Sequence, residues 1–247
     1  MATRAAHGSG RHGRVLDQLG ARIVSGELPP GVLLDPSGLE EEYAVSRSVI
    51  REVLRSLAGR GLVRAVSGQG TFVDDRSAWN LLDAAVLHWQ YQSRRDPSFL
   101  DHLTEMRLTI EPTAARLAAE RRNDVDVARL AVALEAMGDD SPASEHVEAD
   151  IRFHRALLMA AHNELFENMF AVIEIGLRAR DSYVHASIEL EHGDDLEGIV
   201  RSHGEVLDAV RAGRPRAAEL AMRRLLDRSA ADIARVQEDR RSEATTG

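Results

Sequence analysis

The segment 36–73 holds two short helical patterns, a tight turn and a glycine-tipped hairpin, and this order constrains the fold more than any other feature. Pro36 opens the first helical pattern, and the turn after it ends at Ser46, a residue type that favours the start of a helix. Apolar residues then recur at helical spacing, and two strand-like stretches joined by SGQG follow. With an amphipathic helix over 15–25, the segment predicts a winged helix-turn-helix.

The second helix of this motif is strongly basic for an acidic chain. Five arginines and one acidic residue lie between Tyr43 and Arg64, whereas the net charge of the chain is −9. Arg47, Arg51 and Arg55 recur every four residues, so they share the face opposite the apolar stripe. The row suits the phosphates and base edges of a DNA major groove. Arginines alone would fit a solvated helix face better, but the turn and hairpin around them favour DNA.

Composition limits the functions that remain. The 247 residues include no cysteine, which excludes disulfides, thiol nucleophiles and Cys-ligated zinc. No apolar run reaches the length of a membrane span and the first 14 residues lack a signal-peptide core, so we expect a cytoplasmic protein with a flexible N-terminal tail. Residues 1–76 hold ten arginines and nine acidic residues, whereas the rest of the chain holds 21 arginines and 31 acidic residues. This asymmetry predicts two domains, of which the first binds any polyanion.

Beyond residue 80 the periodic segments are all helical, which predicts an all-helical bundle. Asp150 and His154 lie four residues apart in this region and so share a helix face, and His203 follows two helices later. A carboxylate with two imidazoles could hold a divalent metal such as zinc, nickel or manganese. The spacing alone fits an exposed pair on a helix surface better than a metal site.

Three stretches, SGELPPG, VSRSVIREVLRSLAGRGLV and SGQGTFV, resemble the DNA-binding domain of the GntR family of bacterial repressors over residues 12–75. The resemblance implies operator contacts by residues of the third helix and by a glycine of the wing. The implied contact residues are Ser46, Arg47, Ser48, Arg51 and Gly70, to which the arginine row adds Arg55. Ser37 stands where the family often has a basic residue, so we expect one contact to be lost or displaced.

The stretches EMRLTIEPTAARLAAERR, ADIRFHRALLMAAHN and SHGEVLDAVRAGRPRAAELAMRRLL resemble the ligand-binding FCD domain of the FadR subfamily over residues 80–238. Many members bind a metal through an Asp, a His four residues later and two further His. Asp150, His154 and His203 match the first three of these ligands. Leu225 stands where the fourth is expected. The resemblance therefore implies either a three-ligand metal site or a metal-free pocket that binds an effector directly.

Two arginines are candidate effector ligands, because a guanidinium can bind a carboxylate through two parallel hydrogen bonds. These are Arg107 and Arg178. Each could instead form an ion pair with an acidic residue four positions away, Arg107 with Glu111 and Arg178 with Glu174. The stretch SAWNLLDAAVLHW also resembles galactonate-operon repressors of the subfamily. That resemblance implies a sugar acid as the effector.

The predicted protein is a homodimeric repressor that binds operator DNA and a small carboxylate, with a mainly α fold of a winged helix-turn-helix followed by an all-helical bundle. Two alternatives stay open. One is a regulator that responds to the metal itself, and the other is a metal-dependent helical enzyme using Asp150, His154 and His203. No nucleophile or general base lies in a motif near these residues, and an enzyme would leave the arginine row unexplained. We therefore expect that the protein is not an enzyme.

Overall fold

The protein is described by a computed structural model. It divides into two compact units, Met1–Phe99 and Leu100–Gly247. The predicted fold class is confirmed, since three helices and a small sheet precede a series of helices. Among the described residues, no helix combines the length and apolarity that a membrane crossing requires. The structure describes residues 10–93, 98–138, 143–178 and 195–246.

The first unit contains the predicted winged helix-turn-helix. Its strands form an antiparallel sheet in the order β1-β3-β2, in which β2 and β3 are the predicted hairpin and β1 is an additional strand. The first helix begins before residue 15, so the predicted flexible tail is too long by at least four residues. The elements are α1 (Arg11–Val24), β1 (Leu33–Leu34), α2 (Pro36–Tyr43), α3 (Arg47–Gly59), β2 (Val63–Val66), β3 (Gly70–Val73) and α4 (Ala84–Ser93).

Local chemistry explains where α2 begins and ends. The Asp35 side chain accepts hydrogen bonds from the backbone N–H groups of Ser37 and Gly38, which caps the first turn of the helix. At the other end Ala44 adopts a left-handed conformation with φ of 49°. This backbone reversal sets the tight turn, and α3 begins three residues later.

The core of the first unit is apolar and closed by an aromatic side chain from α4. Leu19 of α1 and Ile50 and Leu57 of α3 are fully buried in it. Trp89 packs directly on Gly20, where an added Cβ would lie 2.5 Å from the indole ring. The helix that follows the wing is therefore part of the first unit's own packing.

The second unit is helical throughout its described part. Its core lies where α7 packs on α6 and where α10 packs on both α6 and α11. α5 continues through Pro112 without a break in its helical span. The helices are α5 (Phe99–Arg121), α6 (Asp124–Gly138), α7 (Ala143–Ala160), α8 (Glu164–Asn168), α9 (170–178), α10 (Asp195–Arg211) and α11 (Pro215–Thr246).

Candidate functional site

The outward face of α3 carries the arginine row. Arg47, Arg51 and Arg55 are all exposed, while the apolar stripe of the same helix is buried. The Nε atom of Arg47 lies 3.9 Å from a carboxylate oxygen of Glu40, which is a loose ion pair. Within the described part of the chain, Arg51 and Arg55 make no ion pair or hydrogen bond. Their guanidinium groups are therefore available to an anionic partner.

The other predicted DNA-contact residues lie in the same unit and are also exposed. Ser46 occupies the N-cap position of α3, but its hydroxyl lies 2.9 Å from the Ser48 hydroxyl and does not cap the helix. Gly70 begins β3 with φ of 121°, a conformation that strains any residue with a side chain. The contacts of these residues with DNA stay a prediction.

Asp150, His154 and His203 come together in the core of the second unit. α7 places the first two one turn apart, and α10 supplies the third. His203 Nε2 lies 2.8 Å and His154 Nε2 lies 3.5 Å from Asp150 Oδ1, and the two Nε2 atoms are 3.4 Å apart. All three residues are buried. The alternative of an exposed pair on a helix surface is therefore wrong.

The three ligand atoms have the spacing that one divalent ion requires. Two ligands each about 2.0–2.1 Å from a metal lie roughly 2.9 Å apart at a right angle and roughly 3.4 Å apart at the tetrahedral angle. The second nitrogen of each ring also has a partner. His203 Nδ1 donates to the carbonyl oxygen of Ile199 at 2.8 Å, and His154 Nδ1 contacts the carboxylate of Glu111. Such outer contacts orient metal-binding imidazoles, so this group could hold a metal.

Glu111 links the group to one of the candidate effector arginines. Arg107 Nε donates to one oxygen of the fully buried Glu111 at 2.6 Å, and the other oxygen contacts His154. The sequence predicts Glu111 only as an ion-pair partner of Arg107. A signal for its burial was present, because Glu111 lies at helical spacing from the buried Ala114 and Ala118.

The charges in this group stabilise one another. Burial opposes the ionised form of Glu111, but the charges and hydrogen bonds of Arg107 and His154 outweigh it and lower the pKa of Glu111 to about 2. Burial likewise opposes protonation of His154, but Glu111 and Asp150 outweigh it and raise the pKa of His154 to about 9. Because a metal ligand must be deprotonated, an ion that binds here must displace a proton from His154.

A small cavity lies beside Arg107. Its volume is about 20 Å³, enough for about one water-sized group. The Nη2 atom of Arg107 is buried and has no hydrogen-bond partner among the residues that the structure describes. A buried guanidinium N–H without an acceptor is costly. The lining includes Leu103, Thr104, Arg107, Gly176, Leu226 and Ser229.

The remaining two predicted positions lie outside this group. Arg178 forms ion pairs with Glu148 at 2.7 Å and with Glu174 at 2.8 Å at the protein surface. The pairing with Glu174 that the sequence left open is therefore formed, and a role for Arg178 in effector binding stays a prediction. Leu225 is buried within the apolar core and offers no ligand atom.

A winged helix-turn-helix whose third helix exposes a row of arginines, followed by a unit that is helical throughout its described part, is the architecture of a DNA-binding transcription regulator. The chain belongs to the gntR family of bacterial regulatory proteins, whose model matches residues 12–73, and the model of the FCD domain matches residues 102–228. Regulators of this family bind operator DNA, usually as dimers, and are not enzymes. The predicted class is thus confirmed, and the enzyme alternative is wrong.

Individual relatives agree with this assignment. The chain is 35% identical over 210 residues to the galactonate operon transcriptional repressor of Escherichia coli (strain K12), covering 84% of this chain and 90% of the relative. It is 33% identical over 205 residues to the HTH-type transcriptional regulator LutR of Bacillus subtilis (strain 168), covering 81% and 90%. The solved structure titled "Lar controls the expression of the Listeria monocytogenes agr system and mediates virulence" covers 91% of this chain and 96% of its own, with 19% identity and a TM-score of 0.61. That likeness supports the fold.

Proposed function

We propose that the protein is an operator-binding repressor whose affinity for DNA is controlled by a small carboxylate, and that this carboxylate is a sugar acid. The observation that carries the proposal is the Nη2 atom of the buried Arg107, which has no hydrogen-bond partner in the described part of the chain. The Nε atom of the same side chain donates to Glu111, which also contacts His154. An acceptor with negative charge is the partner that this atom lacks. The likeness to a galactonate operon repressor supports a sugar acid as its source.

The DNA half of the proposal rests on the exposed face of α3. Arg47, Arg51 and Arg55 enter the major groove, where they bind phosphates and guanine edges. Ser46 and Ser48 supply short polar contacts beside them, and the wing approaches the minor groove through Gly70. One winged helix covers one half-site, so a homodimer binds a near-palindrome with half-sites about 34 Å apart. Sedimentation that finds only monomer at micromolar concentration, with operator binding unimpaired, contradicts the dimer.

The effector half combines a metal with Arg107. Asp150, His154 and His203 hold one divalent ion, which in a three-ligand site keeps open coordination positions for a ligand. Leu225 in place of a fourth imidazole keeps those positions open. The carboxylate of the effector then contacts both the ion and the guanidinium.

Operator binding with and without effector tests this function. Genome-wide footprinting identifies the operator, and fluorescence anisotropy then measures its binding to protein purified without a His-tag. D-galactonate or a related aldonate is expected to weaken binding about tenfold or more, within the usual range of allosteric coupling. Release of DNA by zinc, nickel or manganese alone, with no response to any aldonate, would favour the metal-responsive alternative, which the three-ligand group also permits. No response to either would refute both functions.

A matched pair of arginine variants locates the effector response. Arg107→Lys retains a positive charge beside Glu111 but loses the planar guanidinium, so the aldonate response should fall while operator binding persists. Arg116→Lys is the control, because Arg116 lies on the same helix in an exposed ion pair with Glu120. An unchanged response in Arg107→Lys would remove Arg107 from the site.

A further inference from the structure

A second unmatched polar group lines the cavity beside Arg107. Ser229 of α11 is only 5% exposed, and it is one of the residues that line the same small cavity. The Ser229 hydroxyl makes no hydrogen bond to any of the described residues. The Nη2 atom of Arg107 is buried without a hydrogen-bond partner among the described residues, which is unfavourable, so a polar occupant of the cavity that contacts both residues would satisfy it.

The other lining residues leave the cavity open, and they offer few polar groups that could compete with Arg107 and Ser229 for hydrogen bonds to an occupant. Leu103 and Leu226 are apolar, and the Thr104 hydroxyl already donates to the Leu100 carbonyl at 2.9 Å. Gly176 has no side chain to fill the cavity. An added Cβ there would lie 3.2 Å from Arg107 Cδ, so any larger residue would narrow the cavity. A water molecule could satisfy both unmatched groups, and a ligand that reproduces its hydrogen bonds can replace it without a loss.

The two groups together define the chemistry of the occupant. Arg107 requires an acceptor and favours an anion, whereas a serine hydroxyl can donate to or accept from another hydroxyl. Because Arg107 and Ser229 line one small cavity, an anion and a hydroxyl that contact both residues must be close together in the ligand. A carboxylate with a hydroxyl on the adjacent carbon meets this condition.

We propose that Ser229 is a specificity residue that recognises the 2-hydroxyl group of a 2-hydroxycarboxylate whose carboxylate is bound by Arg107 Nη2. This assignment rests on the proposed function and extends it, because it predicts that hydroxylated acids bind more tightly than simple carboxylates of the same length. Ser229 lies one helical turn after Leu225, so α11 contributes a hydroxyl contact to the ligand in place of an imidazole contact to the metal.

Paired ligands that differ by one hydroxyl test the assignment. Titration calorimetry compares D-galactonate with 2-deoxy-D-galactonate, and lactate with propionate, on the full-length wild type and on Ser229→Ala. The wild type is expected to bind the hydroxylated member of a pair about tenfold more tightly, as one buried hydrogen bond allows. In Ser229→Ala this preference should disappear, while the affinity for the deoxy member stays the same.

Two further variants separate recognition from folding. Ser202→Ala removes a hydroxyl that donates to the Gly198 carbonyl at 2.8 Å outside the cavity lining, and it should keep the full preference. Gly176→Ala narrows the cavity beside Arg107 and should weaken both members of a pair equally. Thermal melts show whether each variant is folded.

The outcomes distinguish this inference from the function on which it rests. A wild type that binds both members of each pair equally overturns the role of Ser229, and so does a preference that survives in Ser229→Ala. In both cases the carboxylate-controlled regulator stands. A wild type that binds none of the four acids overturns the proposed function and the inference together.

Discussion

The two units use charged side chains in opposite ways. On α3 the arginines are exposed, and Arg51 and Arg55 have no ion pair within the described part of the chain. In the second unit Arg107, Glu111 and His154 are buried, and the Glu111 carboxylate contacts both of the other two. Exposed charges contribute little to stability, whereas a buried charge that loses its partner is strongly destabilising. Removing one of the exposed arginines of α3 should therefore leave folding intact, whereas removing one member of the buried charged group should destabilise the second unit.

The same contrast exists within the single helix α5. Arg107–Glu111 and Arg116–Glu120 have the same spacing and the same distance of 2.6 Å, but the first pair is buried and the second is exposed. Burial is thus the variable that separates them. These two pairs form an internal control for the comparison between the units.

The largest expected effect comes from removing the shared carboxylate of the buried group. Glu111→Ala leaves the charges of Arg107 and His154 unpaired in the core, so the free energy of unfolding should fall by about 3–5 kcal/mol. Glu120→Ala, the control, should cost less than about 1 kcal/mol. Chemical denaturation followed by circular dichroism measures both. Equal losses would show that burial does not distinguish the two pairs.

The next effect is a dependence of metal affinity on pH. Since the pKa of His154 is raised to about 9, this ring is protonated at neutral pH and must lose a proton before it binds a metal. The affinity for zinc should therefore rise about tenfold per pH unit below pH 9 and level off above it. Competition with a chromogenic chelator from pH 6.5 to 9.5 measures this slope, and His102→Ala, at an exposed position on α5, is the control. A flat profile would contradict the protonated His154.

The free energy of unfolding of the metal-free protein should also depend on pH through the raised pKa of His154. It should fall as the pH rises, whereas the affinity for metal should rise. The pKa of His154 is higher in the folded state than its ordinary value of 6.5, so its stabilising contribution is complete below about pH 6.5. It is lost as the pH rises through about 9. Glu111, with its pKa lowered to about 2, contributes above its ordinary pKa and loses this contribution only as the pH falls toward 2. Denaturation of chelator-treated protein across this range measures both limits.

A smaller effect is expected for the arginines of α3. Changing them should alter operator affinity but not the free energy of unfolding. Arg51→Ala should weaken operator binding by about 1–3 kcal/mol if Arg51 contacts a guanine, or lower the salt slope by about one if it contacts a phosphate. The free energy of unfolding should change by less than about 0.5 kcal/mol. Arg116→Ala removes the same charge from the other unit and serves as the control. Anisotropy over a series of salt concentrations decides between these outcomes, and an unchanged affinity together with an unchanged slope contradicts the contact.

The smallest expected effect concerns the loose pair between α2 and α3. Glu40→Gln removes the carboxylate charge 3.9 Å from Arg47 Nε and leaves that arginine free for DNA. Operator affinity should increase by about 0.2–1 kcal/mol, the usual range for an exposed ion pair. Glu41→Gln removes an exposed charge from the same helix and should have a smaller effect. Weaker binding in Glu40→Gln alone would mean that the pair positions Arg47 for the operator.

Features that depend on local pattern could be predicted from the sequence, and features that depend on tertiary partners could not. The bounds of α3 follow from the turn before it and from an apolar stripe with helical period. β1 was missed because two residues are too short for an alternating pattern, and its existence depends on pairing with β3. α1 begins early because its first turn, from Arg11 to Arg14, has no apolar residue to mark it.

The candidate site shows the same limit. The i, i+4 spacing of Asp150 and His154 places them on one face, but no spacing relates His203 to them, so grouping it with them needed the resemblance as support. Glu111 and Ser229 were not recognised, because a buried carboxylate or hydroxyl cannot be distinguished from an exposed one until the packing around its helix is known.

Close packing of Trp89 on Gly20 has a consequence for the genetics of this regulator. Every single-base change in a glycine codon that substitutes another residue adds a Cβ, and at position 20 that atom would lie 2.5 Å from the indole ring. A screen for alleles that lose operator binding should therefore recover substitutions at this codon, although all the arginines of α3 remain intact. Second-site suppressors of such alleles should map to codon 89, where a smaller side chain restores the missing space.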